Sequence, residues 1–168
     1  MGDDLWISFG VRGAWNISVR KKIKMRAVCF VLSLIQKLIV IILSSTEVIV
    51  PVLMNLYPYN NGHIMVCPYD HVKTTDSLSK DCMMEIMELA DKSMKIFRET
   101  MKAEGFNFGA NIGVSGGAGI ADHIHFHVVP RWVGDTNFMP VIGHTKVMVD
   151  GLLDTYDKLK IKFDKLIK

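Results

Sequence analysis

The chain has 168 residues, 49% of them hydrophobic, which is enough for one domain with a sizeable core. Its formal net charge of +3 is unevenly placed: residues 1–50 carry seven basic and three acidic side chains, residues 51–168 thirteen and fourteen. The basic excess therefore belongs to the N-terminal third, and nothing in the remainder argues for a nucleic-acid-binding domain.

Cys29, Cys67 and Cys82 are scattered without a pairing pattern. They imply no disulfide framework and point to a reducing, cytoplasmic compartment. From Leu5 to Thr46 there is no acidic residue, and a basic cluster from Arg20 to Arg26 precedes the apolar run Ala27 to Leu43. This has the form of a signal anchor with a positive flank. Against it, Gln36 and Lys37 interrupt the run, a central Lys is costly in a bilayer, and the apolar stretches on either side are too short to span. Residues 1–51 are read as an atypical basic and apolar segment packed on the domain rather than as a membrane span.

Downstream the patterns are clearer. Val48 to Leu53, with Pro51 inside, reads as an edge-like strand leading into Met54-Asn55-Leu56. "YPYNNGH", Tyr57 to His63, reads as a turn, because Pro, Asn and Gly tolerate turn dihedrals. His63 to Pro68 is a second strand, so the two runs form a hairpin, and His71 follows. Ser79 is an N-cap for an amphipathic helix whose stripe is Met83, Met87, Ala90, Met94, Phe97 and Met101, ended by Gly105. The methionines read as a core face rather than as ligands. Phe106 to Gly113 alternates as a strand and runs into the glycine-rich "VSGGAG", Val114 to Gly119. A second helix carries Leu152, Tyr156, Leu159, Phe163 and Leu166 on one face. Strands, helix, strands, helix predict an α+β fold with a mainly antiparallel sheet and two helices.

"HIHFHVVPRW", His123 to Trp132, places three histidines at every second position of a strand that Pro130 should end. Side chains alternate across a strand, so His123, His125 and His127 share one face and Ile124, Phe126 and Val128 the other. Metal ligation or ordinary half-buried histidines would account for a single imidazole; three in strict alternation favour a functional site. The glycine-rich loop alone signals little beyond a tight turn. Just before three aligned histidines it suggests a site for a phosphorus centre, since such loops bring backbone N–H groups close to phosphate oxygens.

"NIGVSGGAGIADHIHFHVVPRW" resembles the histidine triad (HIT) pattern, and "MNLYPYNNGHIMVCPYDHV" resembles that family's upstream segment. "RWVGDTNFMPVIGHTKV" looks like the branch containing diadenosine polyphosphate hydrolases and phosphorylases. The resemblance covers roughly residues 52–168. It implies a HIT-like domain over that span, forming a homodimer with a continuous antiparallel sheet. It further implies a small-molecule nucleotide substrate. By the same resemblance His125 is the nucleophile that forms a nucleotidyl-histidine, His123 and His127 position the phosphate and the nucleophile, and His63 supports the network. Asn55 corresponds to a ribose contact and Asn111 to a residue near the phosphates, with Gly117 and Gly119 in the phosphate-side loop.

General chemistry agrees with such roles. A neutral imidazole, of unperturbed pKa about 6.5, is a competent nucleophile once its other nitrogen donates to a fixed acceptor. Covalent catalysis splits one difficult displacement into two, and neighbouring donors offset charge on the non-bridging oxygens. The chain departs from the family at three points. Zinc-binding members carry a Cys-x-x-Cys pair that joins the histidines equivalent to His71 and His123, whereas Cys29 has no partner three positions on, so no metal and no cofactor is expected. The usual opening survives only as Leu5-Trp6. Gly119 and Ile120 stand where smaller members place side-chain donors. The competing expectation is a catalytically impaired nucleotide- or metal-binding protein.

Overall fold

The computed structural model describes residues 41–45, 51–145 and 147–165. The basic cluster, Cys29, most of the apolar run Ala27 to Leu43, and Leu166 lie outside them. Among the described residues no helix is long and apolar enough to cross a membrane.

Five strands form one antiparallel sheet: β1 (Ile41–Ser45), β2 (Pro51–Met54), β3 (Ile64–Val66), β4 (Gly105–Ala110) and β5 (Phe126–Arg131), in the spatial order β1-β2-β3-β5-β4. The expected hairpin is β2 and β3, paired through Val52↔Val66, Leu53↔Met65 and Met54↔Ile64. β1 adds a strand from the segment ahead of residue 52. Helix α1 (Lys80–Met101) follows β3, a short α2 (Met139–Ile142) was not expected from the sequence, and α3 (Leu152–Phe163) closes the described chain.

Alternation along the strands separates two faces. Val52, Met54, Ile64, Val66, Phe126 and Val128, together with Ile124 just ahead of β5, are buried in one cluster with α1, Leu159 and Phe163. The opposite residues, Leu53 and Met65, join Cys67, Tyr69 and Ile120 in a second cluster. Both long helices therefore cover one face, and the histidines emerge on the other.

Helix α1 begins where Ser79 predicts, its Oγ accepting from the Cys82 N–H at 3.1 Å, a cap worth about 1 kcal/mol. The buried stripe differs from the expected one. It runs through Cys82, Ile86, Leu89, Ala90, Ser93, Ile96 and Phe97, while Met87 is exposed and Met83, Met94 and Met101 pack only at the margins of the core. Ser93 hid this face: its hydroxyl donates to the Leu89 carbonyl at 2.6 Å, so a polar residue sits in the seam with its hydrogen bond made inside its own helix. The helix also ends earlier than Gly105. Lys102 takes the left-handed conformation (φ 54°), and the Trp132 indole N–H reaches the last carbonyls, at 3.2 Å from Met101 and 3.0 Å from Lys102. Gly105 instead opens β4.

Pro130 does not end β5. It pairs opposite Phe106 inside the strand, and its carbonyl accepts from the Asn60 side chain at 3.0 Å. A residue's N and C=O point to the same side of a strand, so the proline nitrogen also faces Asn60 and not β4, and no ladder hydrogen bond is lost.

Candidate active site

The β2–β3 connection, Asn55 to His63, is fixed on several sides. The Asn55 N–H donates to the His63 carbonyl (3.0 Å) and the His63 N–H to the Asn60 carbonyl (3.1 Å). Thr155 Oγ1 on α3 donates to Asn61 Oδ1 at 3.1 Å. Asn60 Nδ2 also donates to Asp135 Oδ2 at 2.7 Å, and Asp135 takes a two-pronged contact from Arg131, with Nε and Nη2 each at 2.6 Å. The guanidinium holds the Asp135 carboxyl far below the usual carboxylate range. Gly62 is at φ +76°, and a Cβ there would sit 3.0 Å from Met101 Sδ and 3.2 Å from Phe97 Cε1, so the turn needs glycine for conformation and for space.

This frame sets the protonation of the histidines. A backbone N–H can only donate, and that of Tyr59 lies 3.0 Å from His63 Nδ1, so this nitrogen is an acceptor; Asn55 Nδ2 approaches it at 3.3 Å. The proton of neutral His63 is therefore on Nε2, which donates to His127 Nδ1 at 2.9 Å. That leaves the His127 proton on Nε2, a buried donor with no partner among the described residues. Burial, reinforced by the neighbouring His125, holds His127 down to about 4 and so keeps it neutral.

His125 is set by a different contact. Its Nδ1 is 2.9 Å from the carbonyl of His123, which can only accept, so Nδ1 carries the proton and Nε2 keeps its lone pair. The rings of His125 and His127 meet edge to face, with centroids 4.9 Å apart. His123 turns elsewhere: Nε2 donates to the Pro68 carbonyl at 3.0 Å, and Nδ1 faces His71 Nδ1 at 3.0 Å. Burial lowers the His123 pKa, so its Nδ1 accepts from His71. These two imidazoles could supply two of the four ligands a structural zinc takes. Among the described residues no group of three or more His, Cys, Asp or Glu could hold a metal, so these residues supply two ligands and no third; Cys29 lies outside them.

A cavity of about 390 Å³ opens here, lined by Asn55, Tyr57, Tyr59, Met65, Gly119, Ile120, His125 and His127. Of the residues singled out in the sequence, Asn55, Gly119, His125 and His127 meet at this cavity, and His63 stands behind them. The His123 ring lies outside the lining, its carbonyl being the part that acts on His125. Asn111 and Gly117 also lie outside it; Asn111 Nδ2 points to the Gly117 carbonyl at 3.5 Å. The N–H groups of Gly116, Gly117 and Ala118 bond to Gly113 and Val114 carbonyls, so this part of the loop closes on itself rather than facing a ligand. Tyr57 and Tyr59 line the cavity without having been singled out. Turn chemistry explained "YPYNNGH" completely, and only the position of the tyrosines beside the histidines marks them.

Residues 41–133 match the HIT domain family. The chain belongs to the HIT domain family. A relative from Mycobacterium tuberculosis named AP-4-A phosphorylase is 44% identical over 102 residues, covering 61% of this chain and 52% of that protein. The bis(5'-adenosyl)-triphosphatase of Dictyostelium discoideum is 29% identical over 79 residues, covering 47% of this chain and 52% of that protein. The chain thus spans about half the length of these curated relatives. Its fold matches a Zn-bound histidine triad family protein from Mycobacterium smegmatis with a TM-score of 0.64 at 21% identity, covering 85% of this chain and 96% of that one.

Proposed function

We propose that this HIT-family protein cleaves the phosphoanhydride of a dinucleoside polyphosphate through a nucleotidyl-histidine on His125. The observation that carries this reading is the Nδ1–H of His125 bound to the His123 carbonyl, which leaves Nε2 as a neutral nucleophile on a ring that lines the cavity. Attack by Nε2 on the α-phosphorus forms the N–P bond as the P–O bond to the departing polyphosphate breaks. The ring becomes a cation, and its Nδ1–H to the carbonyl strengthens as a charge-assisted hydrogen bond. The Nε2–H of His127, buried and without a partner among the described residues, supplies a donor for a phosphoryl oxygen. Water or inorganic phosphate then attacks the same phosphorus and the N–P bond breaks, restoring His125. The name and 44% identity of the Mycobacterium tuberculosis relative favour phosphate as the acceptor.

Product analysis with diadenosine tetraphosphate tests this reading. Phosphate as acceptor gives ADP and ATP, water gives AMP and ATP, and no cleavage under either condition contradicts the reading. His125, His127, His123 and His63 are the catalytic set in this proposal, with Asn55 and Gly119 on the nucleotide side and Asn111 and Gly117 in the loop beyond the cavity.

Residues 52–168 make up the nucleotide-binding unit in this proposal. The unit works as a homodimer, a reading supported by β4, which ends the sheet with Asn107, Phe108 and Gly109 exposed. A cytoplasmic setting fits the buried Cys82 thiol, whose pKa burial pushes up and whose reactivity is correspondingly low.

A further inference from the structure

Tyr57 and Tyr59 line the cavity, yet they are 65% and 53% exposed, so the core does not account for their presence there. Their backbone is fixed by the contacts that order the histidines: the Tyr57 N–H donates to Asn55 Oδ1 at 2.8 Å and that of Tyr59 to His63 Nδ1 at 3.0 Å. The Tyr59 ring stands 4.6 Å from the His63 ring and 5.3 Å from that of His127, centroid to centroid. Two aromatic side chains thus line the mouth of the cavity, that of Tyr59 beside the imidazoles of His63 and His127. Asn55, Met65 and Ile120, by contrast, are buried in its wall. At about 390 Å³ the cavity is near the small end of ligand pockets, which run from about 300 to 1,000 Å³. It has room for one nucleoside and its phosphate. A substrate with two nucleosides must extend past the histidines and across the rim.

We propose that Tyr57 and Tyr59 form a stacking subsite for the distal base of a dinucleoside polyphosphate, the base beyond the bond that breaks, and so set the preference for substrates carrying two nucleosides. This inference rests on the reading of the cavity as the nucleotide site. Stacking needs the ring and not the hydroxyl, and every base offers a π-face, so the subsite discriminates the presence of a second base more than its identity. By alanine substitution one base stacked on one aromatic ring is worth about 5- to 150-fold in affinity.

The test is a binding titration with the full chain carrying His125→Ala, so that the ligand stays intact. Diadenosine tetraphosphate and adenosine 5'-tetraphosphate are compared, the second lacking only the distal nucleoside. Adding Tyr57→Leu and Tyr59→Leu is expected to weaken the dinucleoside ligand by about 5- to 150-fold and the mononucleoside ligand less than about two-fold. Tyr57→Phe and Tyr59→Phe should retain wild-type binding of both. Equal weakening of the two ligands, or no weakening, overturns the subsite. Titration does not depend on turnover, so nucleotidylated His125 without tyrosine-dependent discrimination overturns this inference alone, whereas failure to bind either ligand overturns the nucleotide-site reading as well.

Discussion

The Nδ1 of His125 lies 2.9 Å from the carbonyl of His123, and this contact decides which nitrogen of His125 can react. A second chain of contacts, from the Tyr59 N–H through His63 to His127, ends in an N–H donor. The site therefore presents one lone pair and one proton on neighbouring rings, although the side chains are chemically identical. Backbone groups, which cannot change role, determine both.

His63 transmits the second assignment. His63→Ala leaves the Tyr59 N–H and the His127 ring without their fixed partners in a fully buried position. It should cost about 1–3 kcal/mol of stability. Turnover should fall by about a hundred- to a thousand-fold, the loss expected when one preorganised donor is no longer held. Chemical denaturation and steady-state kinetics on the same preparation check both, and wild-type turnover in a folded His63→Ala chain would remove the relay from the mechanism.

Gly62 sets the position of His63. Alanine at φ +76° costs about 1–2 kcal/mol on conformation alone, and its Cβ would also press on Met101 and Phe97. Trimming Met101 to alanine in the Gly62→Ala background should relieve the Met101 contact and leave the Phe97 contact and the conformational part. A double-mutant cycle read by denaturation separates the Met101 contact from the rest, and full additivity would show that this contact contributes nothing.

The antiparallel hairpin and the two faces of the sheet were legible in the sequence because alternation is a local pattern, as Ile124, Phe126 and Val128 illustrate on the core side, whereas the order of the strands, set by distant pairings, was not. The buried face of α1 was misplaced because Ser93 satisfies its hydroxyl within its own helix and so can occupy the seam. In the site, the row of histidines was plain, but the work done by each was not. His123 acts on His125 through its carbonyl, and Tyr57 and Tyr59 enter through a loop fixed by Asp135, more than seventy residues away. Such dependence on distant partners leaves no periodic trace.

Acid stability follows from buried neutral histidines. His127 is lowered from 6.5 to about 4, so the unfolded chain takes up this proton first as pH falls. The stability it contributes is complete above about 6.5 and is lost as pH drops toward about 4. His123, lowered mainly by burial, acts in the same direction. Asp135, depressed by Arg131, adds a separate loss only below its ordinary value of 3.8. Melting temperature should therefore decline between pH 6.5 and 4, less steeply in His127→Gln; a flat profile through that window would contradict the neutral assignment.

The most direct measurement is to quench turnover of dinucleoside tetraphosphate, labelled at the α-phosphorus, with denaturant and to locate the label on the chain. The expected result is an acid-labile phosphoramidate on His125, absent from His125→Ala, which should still bind substrate while turnover falls by several orders of magnitude. Label on another residue, or near-normal turnover in His125→Ala, would contradict nucleophilic attack by His125.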